Sequence, residues 1–285
     1  MLHIGNIRIH LVSAGTVMVD GGGPFGLIPR SMWSRVMPPD DDNLVPQTLT
    51  CLLVQVDNRN IVIDTGVGDK ISDKWRGIWR LTHPHGTLLD GLARCGVRAE
   101  DVDTLIFTHL HADHSGGATR FEDGNIVPTF PNATAYVQRR EYEDAMQPNE
   151  RTRATYLTEN FEPLLETGLL QLLDGPAEFA PGVRGVITPG HTPAHMSILF
   201  ESEERHALFV CDMAAYAVNF ERLPWIPSYD VEPLISLETK RHWQRWALET
   251  QATIIFPHDP SLHCGTPRQT GDGKLQIEPS DETFV

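Results

Sequence analysis

Cysteine is scarce and scattered in this chain. The four in 285 residues (Cys51, Cys95, Cys211 and Cys264) form no CxxC pair, which excludes a zinc ribbon and offers no disulfide framework. Reduced, mostly buried thiols are expected. Positive charge is also short: 23 Lys plus Arg against 38 Asp plus Glu leave a formal net charge of -15. Such a field repels phosphate backbones and anionic lipid, so neither nucleic acid nor a membrane surface is an expected partner. A small neutral or cationic substrate suits it better. No run of about 18 apolar residues occurs, and the opening "MLHIGNIRIHLVSAG" has no basic segment ahead of a long apolar one, so a cytoplasmic protein is expected. Low-complexity runs and internal repeats are missing as well.

What is present is a series of short β-like runs: "NIRIHLV", "TLTCLLVQV", "NIVIDTG", "TLIFTH", "ATAYVQ", "VRGVITPG", "MSILFES" and "HALFVCD". Several are continuously apolar between Gly, Asn or Asp, as strands buried on both faces are. Helical periodicity appears between them, over Gly86 to Val97 and Ser236 to Gln251. Strands outnumber helices and the two are interspersed. No boundary is visible, so residues 1–285 read as a single domain. Residues 13–46, with "DGGGPFG" and "MPPDDDN", read as a long connection, and 260–285 as a C-terminal tail.

The chemistry is concentrated in Thr108 to Gly117, "THLHADHSGG", directly after the apolar "DTLIF". If the chain leaves its strand extended, His109, His111 and Asp113 project to one side and His114 breaks the alternation, which can divide the four between two metals. Imidazole and carboxylate both suit Zn²⁺ and similar ions. Four donors do not complete two sites. Further candidates stand at strand ends: His191 in "GVITPGHTPAH", Asp212 in "HALFVCDMA" and His258 in "ATIIFPHDP".

The motifs "IDTG", "THLHADH", "TPGHTPAH", "CDMA" and "FPHDP", in that order over roughly residues 48 to 260, resemble those of the metallo-β-lactamase superfamily. The resemblance implies an αβ/βα four-layer sandwich of two facing mixed β-sheets with outer helices and a dinuclear site at the sheet edges. It implies that His109, His111 and His191 hold one metal, that Asp113, His114 and His258 hold the second, and that Asp212 bridges them. Asp64 of "IDTG" would support the ligand loop, and His195 reads as a supporting or core residue. His83, His85, His242 and His263 read as non-ligands, with "HPH" a candidate for lining the cleft.

Two divalent ions, zinc first and iron, manganese or cobalt after it, can supply hydroxide at neutral pH and polarise a carbonyl oxygen. Hydrolysis of an ester-like or lactone bond follows, with Asp113 as candidate proton shuttle. Within the superfamily the chain looks most like the acyl-homoserine-lactone lactonases and the related methyl parathion hydrolases. Lactonases of this type commonly place a catalytic Tyr three residues after the bridging Asp. Here that position is Ala215 and Tyr216 follows it, so Tyr216 is a candidate displaced by one residue. Phe25, Trp33, Phe220 and Trp225 lie in irregular stretches and either wall a cleft for a hydrophobic substrate or pack those stretches onto the core or a dimer interface. A homodimer is expected from the resemblance alone. Competing classes are an organophosphate triester or aryl ester hydrolase, a mononuclear iron oxidoreductase using His109, His191 and Asp212, and a non-catalytic ligand-binding protein on the same fold.

Overall fold

The computed structural model describes residues 1–285. Its first sheet is built from β1 (Leu2–Ile4), β2 (Ile7–Asp20), β3 (Leu44–Val56), β4 (Arg59–Ile63) and β5 (Thr104–Ile106). A small hairpin, β6 (Thr119–Glu122) and β7 (Asn125–Pro128), precedes β8 (Thr134–Gln138) and β9 (Leu170–Leu173), which complete that sheet in the order β1-β2-β3-β4-β5-β8-β9. Its first four strands pair antiparallel, and β4, β5, β8 and β9 pair parallel. The second sheet runs in chain order through β10 (Ala177–Ala180), β11 (Val183–Ile187), β12 (Met196–Ser202), β13 (Arg205–Phe209), β14 (Thr253–Ile255), β15 (Cys264–Gln269) and β16 (Leu275–Pro279). It is antiparallel except where β13 meets β14.

Strands covered on both faces explain the continuous apolar runs. Successive residues of β3 alternate between two cores: Leu52 and Val54 face the space between the sheets, with Ile9, Ile63, Ile198, Phe200 and Phe209, while Cys51 and Leu53 face outward beneath helical residues such as Leu88, Leu92 and Leu164. On the far side, Leu208 and Ile254 pack under Trp243 and Ala247 of the helix Pro233–Thr250. The layers are therefore helix, sheet, sheet, helix, as expected.

Two stretches differ from their sequence reading. Residues 13–46 are not one long connection, because β2 continues to Asp20 and β3 starts at Leu44, paired through Asp20↔Leu44. A register shift between Ser13 and Thr16, with Gly15 at φ 128°, interrupts the alternation and hides the strand in the sequence. Residues 260–285 are not a free tail: β15 and β16 form the edge of the second sheet, and Ile277 is buried. The predicted helices are Leu88–Arg94, capped by Thr87, and Pro233–Thr250.

Candidate metal centre

The turns that follow β4, β5, β11, β13 and β14 meet at one end of the two sheets. There the donor atoms of His109, His111, His191 and Asp212 lie within 4.8 Å of one another, and those of Asp113, His114 and His258 do the same. All seven predicted ligands are brought together. Asp212 stands between the groups. Its Oδ2 is 3.1 Å from His191 Nε2 and 3.9 Å from His109 Nε2, while its Oδ1 is 2.9 Å from His258 Nε2 and 3.4 Å from His114 Nε2. Asp113 Oδ2 is 3.7 Å from both His114 Nε2 and His258 Nε2.

Second partners fix the imidazoles. His114 Nδ1 donates to Asp64 Oδ2 (3.0 Å), His191 Nδ1 to Asp230 Oδ1 (3.0 Å) and His258 Nδ1 to the Thr48 carbonyl (2.7 Å). Each bond places the proton on Nδ1 and leaves the Nε2 lone pair aimed at the centre. Thr108 Oγ1 donates to Asp64 (2.8 Å) and so accepts from His109 Nδ1 (3.1 Å), giving His109 the same tautomer. His195 is no ligand. Its Nε2 accepts the Asp212 backbone N–H (3.2 Å) and its Nδ1 lies 2.8 Å from Thr188 Oγ1, so it holds the backbone of the central aspartate.

The donors fit cations and little else. His109 Nε2 and Asp212 Oδ1 are buried without a hydrogen-bond partner, and the Nε2 atoms of His114 and His258 face each other at 3.2 Å. Burial pushes His109 and His111 well below the ordinary histidine range, with the neighbouring imidazoles adding to the effect. Asp212 is held well below the carboxylate range: burial would raise it, but His258, His114 and His191 outweigh that. One carboxylate with imidazoles packed on both of its oxygens is a donor set suited to a dinuclear metal site.

Asp64 supports the ligand loop as expected. At φ 55° its carboxylate turns toward Thr108 N (2.9 Å), the Thr108 hydroxyl and His114, so one side chain ties the end of β4 to the ligand loop. The glycines of "HSGG" allow that loop to dock, since a Cβ on Gly116 would lie 2.3 Å from Val67 O. Glu141, absent from the sequence reading, ties two ligand segments together. Buried at the start of the helix Arg139–Met146, it accepts from Leu110 N (3.0 Å), Tyr156 Oη (3.1 Å) and Thr192 Oγ1 (2.6 Å). Asp230 also escaped notice, because its partner His191 is 39 residues away and "SYDVEP" carries no periodic signal.

A cleft of about 390 Å³ opens over the centre, reaching His111, Asp113, His191, Asp212 and His258. Val17, Val19, Trp79, Thr152, Thr155, Pro227 and Tyr229 are among its lining residues. Gln47 in the wall donates to Asp113 Oδ2 at 3.2 Å. Neither His83 nor His85 lines the cleft.

Five predicted residues are placed differently. Tyr216 is 0 % exposed, and its hydroxyl donates to the Pro46 carbonyl at 3.1 Å, so it cannot meet a substrate. Phe25, Trp33, Phe220 and Trp225 are all buried and none lines the metal cleft. Phe25 stacks on Trp33 at 4.9 Å and on Tyr216 at 5.9 Å, with Trp225 edge-on at 5.9 Å, while Phe220 packs against Phe256. The short helices Gly22–Phe25 and Arg30–Trp33 have little other apolar surface, so their aromatic residues anchor them.

Fold and site together define a four-layer αβ/βα protein with a histidine and aspartate cluster suited to two metal ions. The family model for the metallo-beta-lactamase superfamily matches residues 46–262, and the chain belongs to that superfamily. An N-acyl homoserine lactonase from Bacillus cereus is 27% identical over 263 residues, 88% of this chain and 93% of the lactonase. Among solved structures, a probable metal-dependent hydrolase from Staphylococcus aureus matches with a TM-score of 0.89 at 26% identity, covering 100% of both chains. The dizinc quorum-quenching lactonase AidC shares the fold, with a TM-score of 0.79 at 20% identity over 100% of this chain and 97% of its own.

Proposed function

We propose that this protein is a dinuclear metal-dependent hydrolase that opens lactones of the acyl-homoserine-lactone type. The reading is carried by the two-sided Asp212, whose oxygens face separate imidazole groups 2.9–3.9 Å away. His109, His111 and His191 would hold one ion, Asp113, His114 and His258 the other, and Asp212 would bridge. Nitrogen and oxygen donors of this kind suit zinc, and they also accept iron, manganese or cobalt. When bound, two divalent ions supply hydroxide near neutral pH and polarise a carbonyl oxygen.

The chain's own groups do the remaining work. Val17, Val19 and Trp79 offer apolar surface to an acyl chain, while the hydroxyl groups of Thr152, Thr155 and Ser228 in the same lining suit a polar ring. Asp113, whose Oδ2 accepts from Gln47, would take the proton of the attacking oxygen. The Bacillus cereus relative is named for N-acyl homoserine lactones and covers most of both chains, which supports the same substrate class here.

The test is a pH-stat screen of metal-analysed protein on acyl-homoserine lactones, aliphatic lactones, aryl esters, a phosphotriester and a thioester. Two ions per chain with preference for lactones are expected. Preference for another ester class would retain the metal hydrolase and discard the lactone. A single iron with oxygen uptake would overturn the hydrolase.

A further inference from the structure

With the Tyr216 hydroxyl committed to Pro46, the phenol that lines the metal cleft is Tyr229. It is 41 % exposed, and its hydroxyl has no protein hydrogen-bond partner. Its position is nevertheless fixed. The preceding residue is bound through Ser228 N and Oγ to the Gly23 carbonyl (2.8 and 3.1 Å), and Arg151 donates to the carbonyls of Ser228 (2.6 Å) and Asp230 (3.2 Å). The following residue, Asp230, holds His191, and the backbone of Val231 and Glu232 is bound to His191 and Gly190. One segment thus orients a donor of the metal centre and carries the phenol.

Gly23 makes room for that phenol. A Cβ on Gly23 would lie 1.7 Å from Tyr229 Oη, so the ring can occupy this place only against a bare α-carbon. An unpartnered hydroxyl held on a strapped backbone beside a hydrolytic centre is available to substrate.

Resting on the hydrolase reading above, we propose that Tyr229 donates the proton to the departing alkoxide oxygen. Hydroxide adds to the carbonyl carbon, and the C–O bond to the leaving oxygen then breaks. That oxygen takes the proton from Tyr229 Oη as the bonding electron pair moves onto it. The phenolate regains a proton from the new carboxylic acid, so one water is consumed and a carboxylate, a proton and an alcohol are released. Asp113 and Tyr229 then serve opposite ends of the reaction, the first at the nucleophile and the second at the leaving group.

The experiment compares wild type with Tyr229→Phe on two esters of one acyl group, one with an aliphatic leaving alcohol and one with an activated phenol. An activated phenolate leaves without a proton, whereas an aliphatic alkoxide does not. Tyr229→Phe should lower kcat about 100-fold on the aliphatic ester and less than about 3-fold on the activated one, within the range of general acid catalysis. Metal content and melting temperature should stay unchanged, and calorimetry should show weaker binding of the ring-opened hydroxy acid. Gly23→Ala, which pushes the phenol aside, should give the same dependence on leaving group. Equal losses on both esters, or an undiminished aliphatic rate, would remove the role from Tyr229 and leave the hydrolase standing. Wild-type protein that, with both ions bound, turns over neither these esters nor any lactone would overturn both.

Discussion

Asp230 and His191 are joined through a single 3.0 Å bond from His191 Nδ1 to Asp230 Oδ1, and the second carboxylate oxygen accepts from Ser236 Oγ at 2.5 Å. The helix Pro233–Thr250 thereby braces an imidazole that hangs from the turn after β11. The approach is close enough to require glycine at 190, where φ is 139° and a Cβ would lie 2.2 Å from Ser236 Oγ. Asp230→Ala frees the ring and lowers its basicity, and the loss of such a partner typically lowers metal affinity about 10–100-fold. Competition with a chromophoric chelator should show one ion weakened by that factor and the other retained. Two unchanged affinities would mean that Asp230 does not orient the ligand.

Glu141 bears on both the ligand loop and the His191 turn. Burial raises its carboxyl above the ordinary range, against the pull of Thr192, Leu110 and Tyr156. Glu141→Ala would leave those three buried donors without an acceptor, a cost of about 3 kcal/mol or more. Glu141→Gln keeps an oxygen for Leu110 and Tyr156 and should cost less. Urea denaturation with an unchanged slope would measure both, and equal stabilities for wild type and Glu141→Ala would contradict the placement.

The clustered histidines and aspartates were legible because strand ends mark themselves locally: an apolar run stops and a His or Asp follows, as at Phe107 to His109 or Phe209 to Asp212. The positions of several strands were legible for the same reason, though not their order in the sheets. Glu141, Asp230 and Tyr229 were not legible: Glu141 takes its role from Leu110, Tyr156 and Thr192, 15 to 51 positions away, Asp230 from His191, 39 positions away, and Tyr229 from the bare α-carbon of Gly23. The aromatic residues misled for a related cause. Phe25, Trp33 and Trp225 sit in stretches without periodicity, and composition alone does not tell an anchor turned inward from a wall turned outward.

Lys240 supplies a pH dependence. It is 1 % exposed, and Nζ donates to the carbonyls of Asn219 (3.0 Å) and Trp225 (2.8 Å). Burial brings its pKa down to about 8, with Asp230 opposing. An unfolded lysine titrates near 10.4, so between these values the unfolded chain binds more protons and the contribution of Lys240 to stability rises with pH. Below pH 8 the cost of burying the cation is fully present. The stability of wild type relative to Lys240→Met should therefore increase by about 2 kcal/mol from pH 7.5 to 10. A flat or falling difference would show that the ammonium is not desolvated.

Metal removal tests the centre as a structural element. Asp212, with His258, His114, His191 and His109 around it, gains its compensation from any cation held there, and an ion bound only by the folded chain stabilises it by about 4 kcal/mol at a thousandfold excess over its Kd. At about 2–4 °C per kcal/mol for a chain of this size, a strong chelator should lower the melting temperature by about 10 °C, and zinc should restore it. Asp212→Ala removes the shared carboxylate, so that variant should show no lactone hydrolysis and a much smaller response to chelator. The pairing of the two results matters: a wild-type melting temperature unmoved by proven metal loss would mean that the imidazoles hold their places by packing and hydrogen bonds alone, and a full chelator response in Asp212→Ala would mean that Asp212 does not hold the ions.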